Sequence, residues 1–429
     1  MKFTAAGDAI IQRRIQENFV GYDEITPFIK QGEARFFNLE TTLHYEGECY
    51  ASQFSGGTYI RTNPEALCDL KKFGFNMTSF NNNHALDFSY NGFLKTFEYV
   101  KESGLVQSGT GRNLDEASAP KYLDAPSGRV ALIAVNTTFN PTAMAGEQGK
   151  RVPGRPGING VRIEENITVN AEELAFIRRL GEQTGINVAD DISRKEGYLP
   201  ELPADEAILG TLRFKVGEKT KYNLSANKQD MARVQKAIFE AQLQADYIMI
   251  SVHSHQIDGK EKEDVPEFLK DFAHQCIDMG ANAVVGHGPH LLRPIEVYKD
   301  CPIFYSLGDF ILQLYNVEFA PEEFYKSYGL DSTHTVHELL KKRSADFTRG
   351  LMEDIRMLQT VLPYWETKDG KLTKLQLLPL QLAQKGHHSE IGLPRKATNL
   401  DFIDKLASLS AYSGLKMKVE KDLTVSCTW

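Results

Sequence analysis

The sequence predicts an α/β fold in which helices pack on a sheet, and three observations lead to this prediction. Short apolar, β-branched or aromatic runs recur along the chain, helical segments separate several of them, and polar residues of a few types close most of the runs. Alternation of strand, helix and strand is typical of sheets covered by helices. The 429 residues suit one large domain or two smaller ones.

Seven runs are predicted to be strands, because they are short and rich in residues that fit a pleated, half-buried surface. In chain order they are KFTAAGDAII at 2–11, ARFFNLETTL at 34–43, FNMTSFNNNH at 75–84, RVALIAVNTTF at 129–139, ADYIMISVHSH at 245–255, ANAVVGHGPH at 281–290 and CPIFYSLGDF at 301–310.

Three segments between these runs have helical spacing, and a glycine follows the last apolar position of each, which is a common helix stop. They are NPEALCDLKKFG, YNGFLKTFEYVKESG and VPEFLKDFAHQCIDMG.

Two regions break the alternation of strands and helices. Residues 141–240 start with a Gly/Pro/Arg-rich loop and continue with charged helical stretches, and residues 312–395 look mostly helical. We expect both to be insertions that form lids or walls around the active edge of one domain spanning 1–429.

Composition excludes several classes of protein. A hydrophobic content of 41% and a charged content of 25% are those of an ordinary globular chain, and the net charge of -8 argues against nucleic acid as the main partner. No apolar run approaches the roughly 18 residues of a membrane span. The N-terminus lacks the features of a signal peptide, so we expect a cytoplasmic protein unless a leader was removed. The five scattered cysteines form no C-x-x-C pair and indicate free thiols.

Most predicted strands end in residues that can bind a metal ion or transfer a proton. These are Asp8, Asn38, Glu40, Asn83, His84, His253, His255, His287 and His290. Ligands of open α/β sheets gather at the carboxyl ends of strands. A single strand-end histidine is more often structural, but five strands that end this way in order indicate one site. Carboxylate, amide oxygen and imidazole suit divalent Mn, Zn or Fe.

The ordered motifs AAGD, FNLETTL, NNNHALD, SVHSH and GHGPHLLRPIEVYKDCPIFYSLGDF closely resemble the CapA-type proteins, which are associated with poly-γ-glutamate capsule synthesis. The resemblance covers residues 1 to about 140 and 240 to 312. It implies the α/β/β/α sandwich of calcineurin-like metallophosphoesterases, with the regions 141–240 and 312–395 as insertions. It also implies a centre of one or two divalent ions.

The resemblance implies a role for each matching residue. The expected metal ligands are Asp8, Glu40, Asn83, His253, His287 and His290. His84 is expected beside the substrate as an acid or charge stabiliser, with Asp87 placed to orient its ring. Arg61 and Arg293 are candidate clamps for a substrate carboxylate or phosphate, although arginines are more often surface or salt-bridge residues. His255 is a substrate contact or an added ligand.

The chain departs from the family pattern at several positions. The superfamily usually has D-x-H in its first motif, whereas Asp8 is followed by Ala9 and Ile10, so one metal position loses an imidazole. His255 stands where many CapA-type sequences have glycine. Arg293 stands where glutamine is frequent, and Asp309 where asparagine is frequent. These departures leave the reaction itself open.

Three functions are compatible with these residues. The first is a metal-dependent hydrolase that acts on a small peptide, glutamyl or phosphorylated substrate. The second is a metal-assisted isomerase or epimerase of a peptide, with Asp8 and either His287 or His290 as an acid/base pair. The third is a non-catalytic accessory protein that binds capsule or cell-wall polymers. The sequence does not identify the oligomeric state.

Overall fold

The structure, a computed structural model, describes all of residues 1–429. The chain divides into two compact units, of which the first contains Met1–Val161 and Asp230–Trp429 and the second contains Arg162–Gln229. No helix is both long enough and apolar enough to cross a membrane.

The regular elements follow one another along the chain in three stretches. The first stretch contains β1 (Lys2–Ile10), α1 (Val20–Ile29), β2 (Ala34–Leu39), β3 (Thr42–Leu43), β4 (Arg61–Thr62), α2 (Ala66–Lys72), β5 (Met77–Ser79), α3 (Ser89–Glu102), β6 (Val106–Ser108), β7 (Thr110–Gly111), α4 (Leu114–Ser118), β8 (Lys121–Ala125), β9 (Gly128–Asn136) and β10 (Gly157–Ile158). The middle stretch contains β11 (Ile163–Val169), α5 (Ala171–Thr184), α6 (Val188–Lys195), β12 (Glu206–Leu209), β13 (Leu212–Val216), β14 (Lys221–Ala226) and α7 (Lys228–Gln242). The last stretch contains β15 (Tyr247–His253), α8 (Glu267–Asp278), β16 (Ala283–His287), β17 (Ile295–Tyr298), β18 (Cys301–Phe304), β19 (Asp309–Leu312), α9 (Glu322–Ser327), α10 (Val336–Arg343), β20 (Gln359–Lys368), β21 (Lys371–Leu382), β22 (Pro394–Lys396), α11 (Asp401–Ser410), β23 (Lys416–Val419) and β24 (Val425–Thr428).

Two large sheets form the centre of the first unit. One has the order β23-β24-β21-β20-β1-β2-β5-β6, with β19 also paired to β1, and the other has the order β17-β18-β16-β15-β9-β8. Phe3 and Phe36 of the first sheet share one buried core with Leu132 and Met249 of the second. The two sheets therefore pack face to face.

Helices cover the sheets on their outer sides. Ile25 of α1, Leu70 of α2 and Phe93 of α3 share a second core with Phe37 and Leu39 of β2. Helix α8 packs on β16 and buries an apolar face. The result is a layered α/β sandwich, which confirms the predicted fold class. Each of the seven predicted runs contains a strand and the three predicted helices are present, but the boundaries shift, and the run 301–310 contains β18 and the start of β19, which belong to different sheets.

The prediction of a mostly helical insertion over residues 312–395 is wrong for its second half. Helices α9 and α10 are present, but β20 and β21 are long strands, and β20 pairs with β1 in the first sheet. Pro363 and Pro379 interrupt these runs in the sequence, and proline usually argues against a strand. A hairpin signal was nevertheless present, because Asp369 and Gly370 close the β20–β21 turn with φ angles of 52° and 77°.

The region 141–240, predicted as a loop followed by helices, contains a sheet as well. Strands β12, β13, β11 and β14 pair in that order within Arg162–Gln229. Leu174 and Ile177 of α5 pack against Val169 and Phe214 of this sheet. These residues form a small core of their own.

Strand β1 approaches the turn before β19 unusually closely at Gly7. The Asp8 amide donates a hydrogen bond to the Gly308 carbonyl over 3.0 Å. A Cβ atom at position 7 would lie 1.8 Å from that carbonyl oxygen, so only glycine fits. This close approach brings Asp8 opposite Asp309 in the parallel register of the two strands.

We predict that Gly7→Ala lowers the free energy of unfolding by roughly 2–3 kcal/mol, because the added methyl group must push β1 and β19 apart. Gly149→Ala is the matched control, since the nearest atom to a Cβ there is the Val152 oxygen at 3.8 Å. Urea titration followed by the fluorescence of the buried Trp365 measures both variants. Equal unfolding midpoints for the two variants would contradict the role given to Gly7.

Candidate metal centre

The polar strand-end residues meet at one edge of the sandwich. Asp8 of β1 lies beside Asn38 of β2 in the parallel register, and His253 of β15 lies beside His287 of β16 in the other sheet. The Nδ1 atom of His287 is 3.5 Å from Asp8 Oδ1. The two sheets therefore contribute ligand-type atoms to one cluster, as the strand-end pattern predicted.

Three overlapping groups in this cluster could hold a metal ion, because their ligand atoms lie within 4.8 Å of one another. They are Asp8 with His253 and His287, Glu40 with His253 and His255, and Asp8 with Glu40, His290 and Asp309. Each group shares a member with another. This arrangement suits one ion or two neighbouring ions bridged by a shared carboxylate.

Glu40 is the least satisfied residue of the cluster. Its side chain is 0% exposed, and neither carboxylate oxygen accepts a hydrogen bond from a donor group. Its Oε1 atom is 3.5 Å from His253 Nε2 and 3.9 Å from His255 Nε2. Burial, followed by the charges of Asp8 and Asp309, raises the pKa of Glu40 well above its ordinary value. A cation in contact with this carboxylate would supply the missing partner.

Three imidazoles of the cluster, those of His253, His255 and His287, are held uncharged by burial. Burial lowers the pKa of His287 to about 3 and lowers the pKa values of His253 and His255 well below their ordinary value. The Nε2 atom of His253 lies 2.7 Å from Asn83 Oδ1 and 2.9 Å from His255 Nε2. Imidazole nitrogens therefore converge with an amide oxygen, and these are atom types that bind borderline divalent ions such as Zn, Mn or Fe.

Asp309 is a residue of the centre that the strand-end pattern did not place among the ligands. Its Oδ1 atom is 2.8 Å from Nδ1 of His290, and its Oδ2 atom is buried without a hydrogen-bond partner. Although burial acts to lower it, the Asp309 carboxylate on balance raises the pKa of His290. Buried Ile10 stands two residues after Asp8, so β1 supplies no imidazole at that position, and Asp309 offers a carboxylate in the same group as Asp8.

His84 is oriented by Asp87, as predicted. The His84 Nδ1 atom lies 2.7 Å from Asp87 Oδ2, which leaves Nε2 for the neighbouring cleft. The buried Asp87 carboxylate also accepts hydrogen bonds from the amides of Gly56 and Ile60, at 2.8 and 3.0 Å. Asp87 therefore fixes both the histidine ring and the loop beside it.

A cleft of about 910 Å³ opens over the centre. His84, His255 and His290 line this cleft, together with residues of the segment 340–357. This segment belongs to the second predicted insertion, which was expected to form a wall of the site.

The two arginines that were predicted to contact substrate do not line the cleft. Arg293 is 0% exposed and donates to the backbone carbonyls of Gln256 and Lys262 over 2.9 and 3.2 Å. It therefore holds the loop that follows His255. Arg61 donates to the His44 carbonyl over 3.0 Å, and its guanidinium lies 4.5 Å from the ring centroid of Phe319. Both predictions are corrected because the sequence showed charge without showing burial.

Comparison with known proteins shows that the chain is similar to proteins of bacterial capsule synthesis. The family described as bacterial capsule synthesis protein PGA_cap matches residues 2–314. The uncharacterized protein y4sH of Sinorhizobium fredii is 28% identical over 97% of this chain and 90% of its own length. The capsule biosynthesis protein CapA of Bacillus anthracis is 21% identical, with 72% of this chain and 59% of that protein aligned. A probable polyglutamine synthesis accessory protein of Mycobacterium tuberculosis is 22% identical over 81% of this chain and 65% of its own length.

We predict that metal binding becomes tighter as the pH rises through about 7. Burial, with the Asp309 charge adding to it and the His290 charge opposing it, raises the pKa of Asp8 to about 7. Below this pH an incoming ion must displace the Asp8 proton, and above it the carboxylate is already free. Calorimetric titration of the metal-free protein with Mn²⁺, in buffers of different ionisation enthalpy, counts the released protons. Release that does not fall with rising pH would argue against this assignment.

We also predict that His253→Ala loses its metal, because His253 belongs to two of the three ligand groups. The loss of affinity should exceed the roughly 10–100-fold that removal of an outer-shell partner costs. His388→Ala is the control, since His388 is exposed and belongs to none of the ligand groups. Elemental analysis of both purified variants measures the effect. Equal metal content in the two variants would remove His253 from the centre.

Proposed function

Because the chain belongs to the family described as bacterial capsule synthesis protein PGA_cap, we propose that it is a metal-dependent hydrolase of the CapA type. Its substrate carries a phosphoester, peptide or glutamyl bond. The main support for this proposal is that the Glu40 carboxylate is fully buried and that neither of its oxygens accepts a hydrogen bond. The names of two relatives, a capsule biosynthesis protein and a probable polyglutamine synthesis accessory protein, support a substrate related to polymer synthesis.

Stability alone is a poor explanation of this centre. Asp8, Glu40 and Asp309 are all fully buried within one cluster. Isolated buried carboxylates are costly, and like charges at short range raise the cost further. A divalent ion offsets both costs, because it supplies positive charge to several carboxylates at once. Such clusters of perturbed groups beside a cleft are typical of functional sites.

The side chains of the centre would have two kinds of role, which are binding the metal ion and reacting with the substrate. Asp8, Glu40, Asn83, His253, His287 and His290 would hold the ion or ions, with Asp309 beside them. When bound, a divalent ion polarises a carbonyl or phosphoryl oxygen and lowers the pKa of water. His84 presents Nε2 to the cleft and donates a proton to the leaving group, or stabilises its charge. Asp87 keeps the His84 ring in this orientation through the 2.7 Å contact with Nδ1.

One observation favours a second candidate, a metal-assisted isomerase or epimerase of a peptide. His290 lines the cleft while Asp309 holds its Nδ1 atom at 2.8 Å, so the pair resembles an oriented acid/base group. In this reaction His290 takes a proton from the carbon next to a carbonyl, and protonated Asp8, the second member of the acid/base pair, returns a proton to the opposite face of that carbon. Incorporation of solvent deuterium into a peptide without cleavage would separate the isomerase from the hydrolase.

We predict that His84→Gln lowers kcat of the hydrolase by about 10²–10⁴-fold while the metal content stays at the wild-type value. Asp87→Asn should lower kcat as well, because the His84 ring loses its partner. Bis-para-nitrophenyl phosphate and γ-glutamyl-para-nitroanilide are the probe substrates, and elemental analysis accompanies each assay. The exposed His387 provides the control variant His387→Gln.

The result that contradicts this role is a His84→Gln variant that keeps both its metal and its wild-type kcat. Stoichiometric metal with no cleavage of either probe and no deuterium exchange in a peptide library would instead favour the non-catalytic accessory function.

A further inference from the structure

The cleft above the metal centre carries cations that lack carboxylate partners. Lys262, Arg343 and Arg349 line it, and no Asp or Glu oxygen lies within 4.0 Å of their charged nitrogens. The chain as a whole has 57 acidic and 49 basic residues, so an excess of unpaired cations around one opening runs against its composition.

The acidic residues of the cleft are already engaged. Asp354 pairs with Arg356 at 2.7 Å, and Arg356 also contacts the buried Glu263 at 3.0 Å. Glu353 accepts a hydrogen bond from the Tyr315 hydroxyl. Asp354 is therefore neutralised by Arg356, and Glu353 forms no ion pair with any of the three cations.

Lys262 is the member of this set closest to the centre. Its charge acts on His255, His290 and Asp309. Its ammonium group contacts the Met357 sulfur at 3.9 Å, and a thioether is a weak acceptor. Burial lowers the pKa of Lys262, and the attraction of the Asp309 and Asp354 charges does not offset it. A divalent ion nearby would add repulsion to this cost.

An anion between Lys262 and the centre would offset both the desolvation of the ammonium group and its repulsion by a metal ion. The anion's oxygens can accept hydrogen bonds from the ammonium group while facing the ion. We propose that Lys262, extended by Arg343 and Arg349, forms an anion-recognition subsite. The substrate therefore carries a carboxylate or phosphate group next to the bond that reacts. This inference rests on the proposed function of the metal centre.

Arg343 and Arg349 belong to the segment 340–357, which lies outside the residues matched by the family. Arg343 donates to the Thr58 hydroxyl, and its guanidinium lies 5.6 Å from the ring centroid of Phe324, so its side chain is held in place. Arg349 is exposed. The two arginines thus form the outer part of the subsite, whereas Lys262 acts at the reacting end.

The test measures the binding of two anionic probes, inorganic phosphate and pentaglutamate, by calorimetry on the full chain as purified, with its metal content determined. Lys262→Met should weaken binding of the preferred probe by about tenfold or more, and Arg349→Gln should weaken binding of pentaglutamate. Lys262→Arg should restore part of the affinity. Lys385→Met is the control, because Lys385 is exposed and does not line the cleft. The probe that binds more tightly identifies phosphate or carboxylate as the recognised group.

Affinities of Lys262→Met and Lys385→Met that both stay within about twofold of wild type overturn the proposal, as does equal binding of uncharged pentaglutamine. Thermal unfolding verifies that each variant is folded, and if Lys262→Met is not, unchanged pentaglutamate binding by Arg349→Gln overturns it instead. Loss of anion binding in Lys262→Met from a chain that holds no metal would support the subsite while contradicting the metal-dependent hydrolase.

Discussion

The structure depends on one electrostatic constraint, which is the burial of three carboxyl groups where two sheets meet. Asp8, Glu40 and Asp309 are each 0% exposed, and their ligand atoms lie within one group. Burial raises the pKa of each of them. The protein can meet this cost by keeping protons on the cluster or by binding a cation. The neutral imidazoles of His253, His255 and His287 favour the cation, because they add nitrogen ligands without adding positive charge.

The fold produces this concentration of charge through strand geometry. Parallel strands bring their carboxyl ends to one edge, and the packing of two such sheets places Asp8 beside His287. Gly7 is needed for this arrangement, because β1 passes too close to Gly308 for any side chain. The same contact brings Asp309 opposite Asp8. The close contact of Gly7 with Gly308 thus lies directly beside the buried carboxyl groups of Asp8 and Asp309.

The sequence predicted most of the centre because residues at the carboxyl ends of parallel strands lie together at one edge of the sheet. The predicted strand over 301–310 is two strands in the structure, and Asp309, the first residue of the second, reaches the cluster through the pairing of β19 with β1. Arg61 and Arg293 were misjudged because a charged residue in a sequence does not disclose its burial. Strand β20 lies in the region that was expected to be mostly helical; it contains Pro363, which disfavours a strand, but the Asp369–Gly370 turn that follows it is a hairpin signal.

If the buried carboxyl groups hold a cation, Glu40 contacts a divalent ion that it shares with residues of both sheets. Anomalous diffraction from crystals grown with Mn²⁺ locates the metal independently of any assay. We expect an anomalous peak in contact with Glu40 and Asp8, together with His253 or His290. Crystals with no peak at this edge, and with Glu40 hydrogen-bonded to protein groups instead, would contradict it.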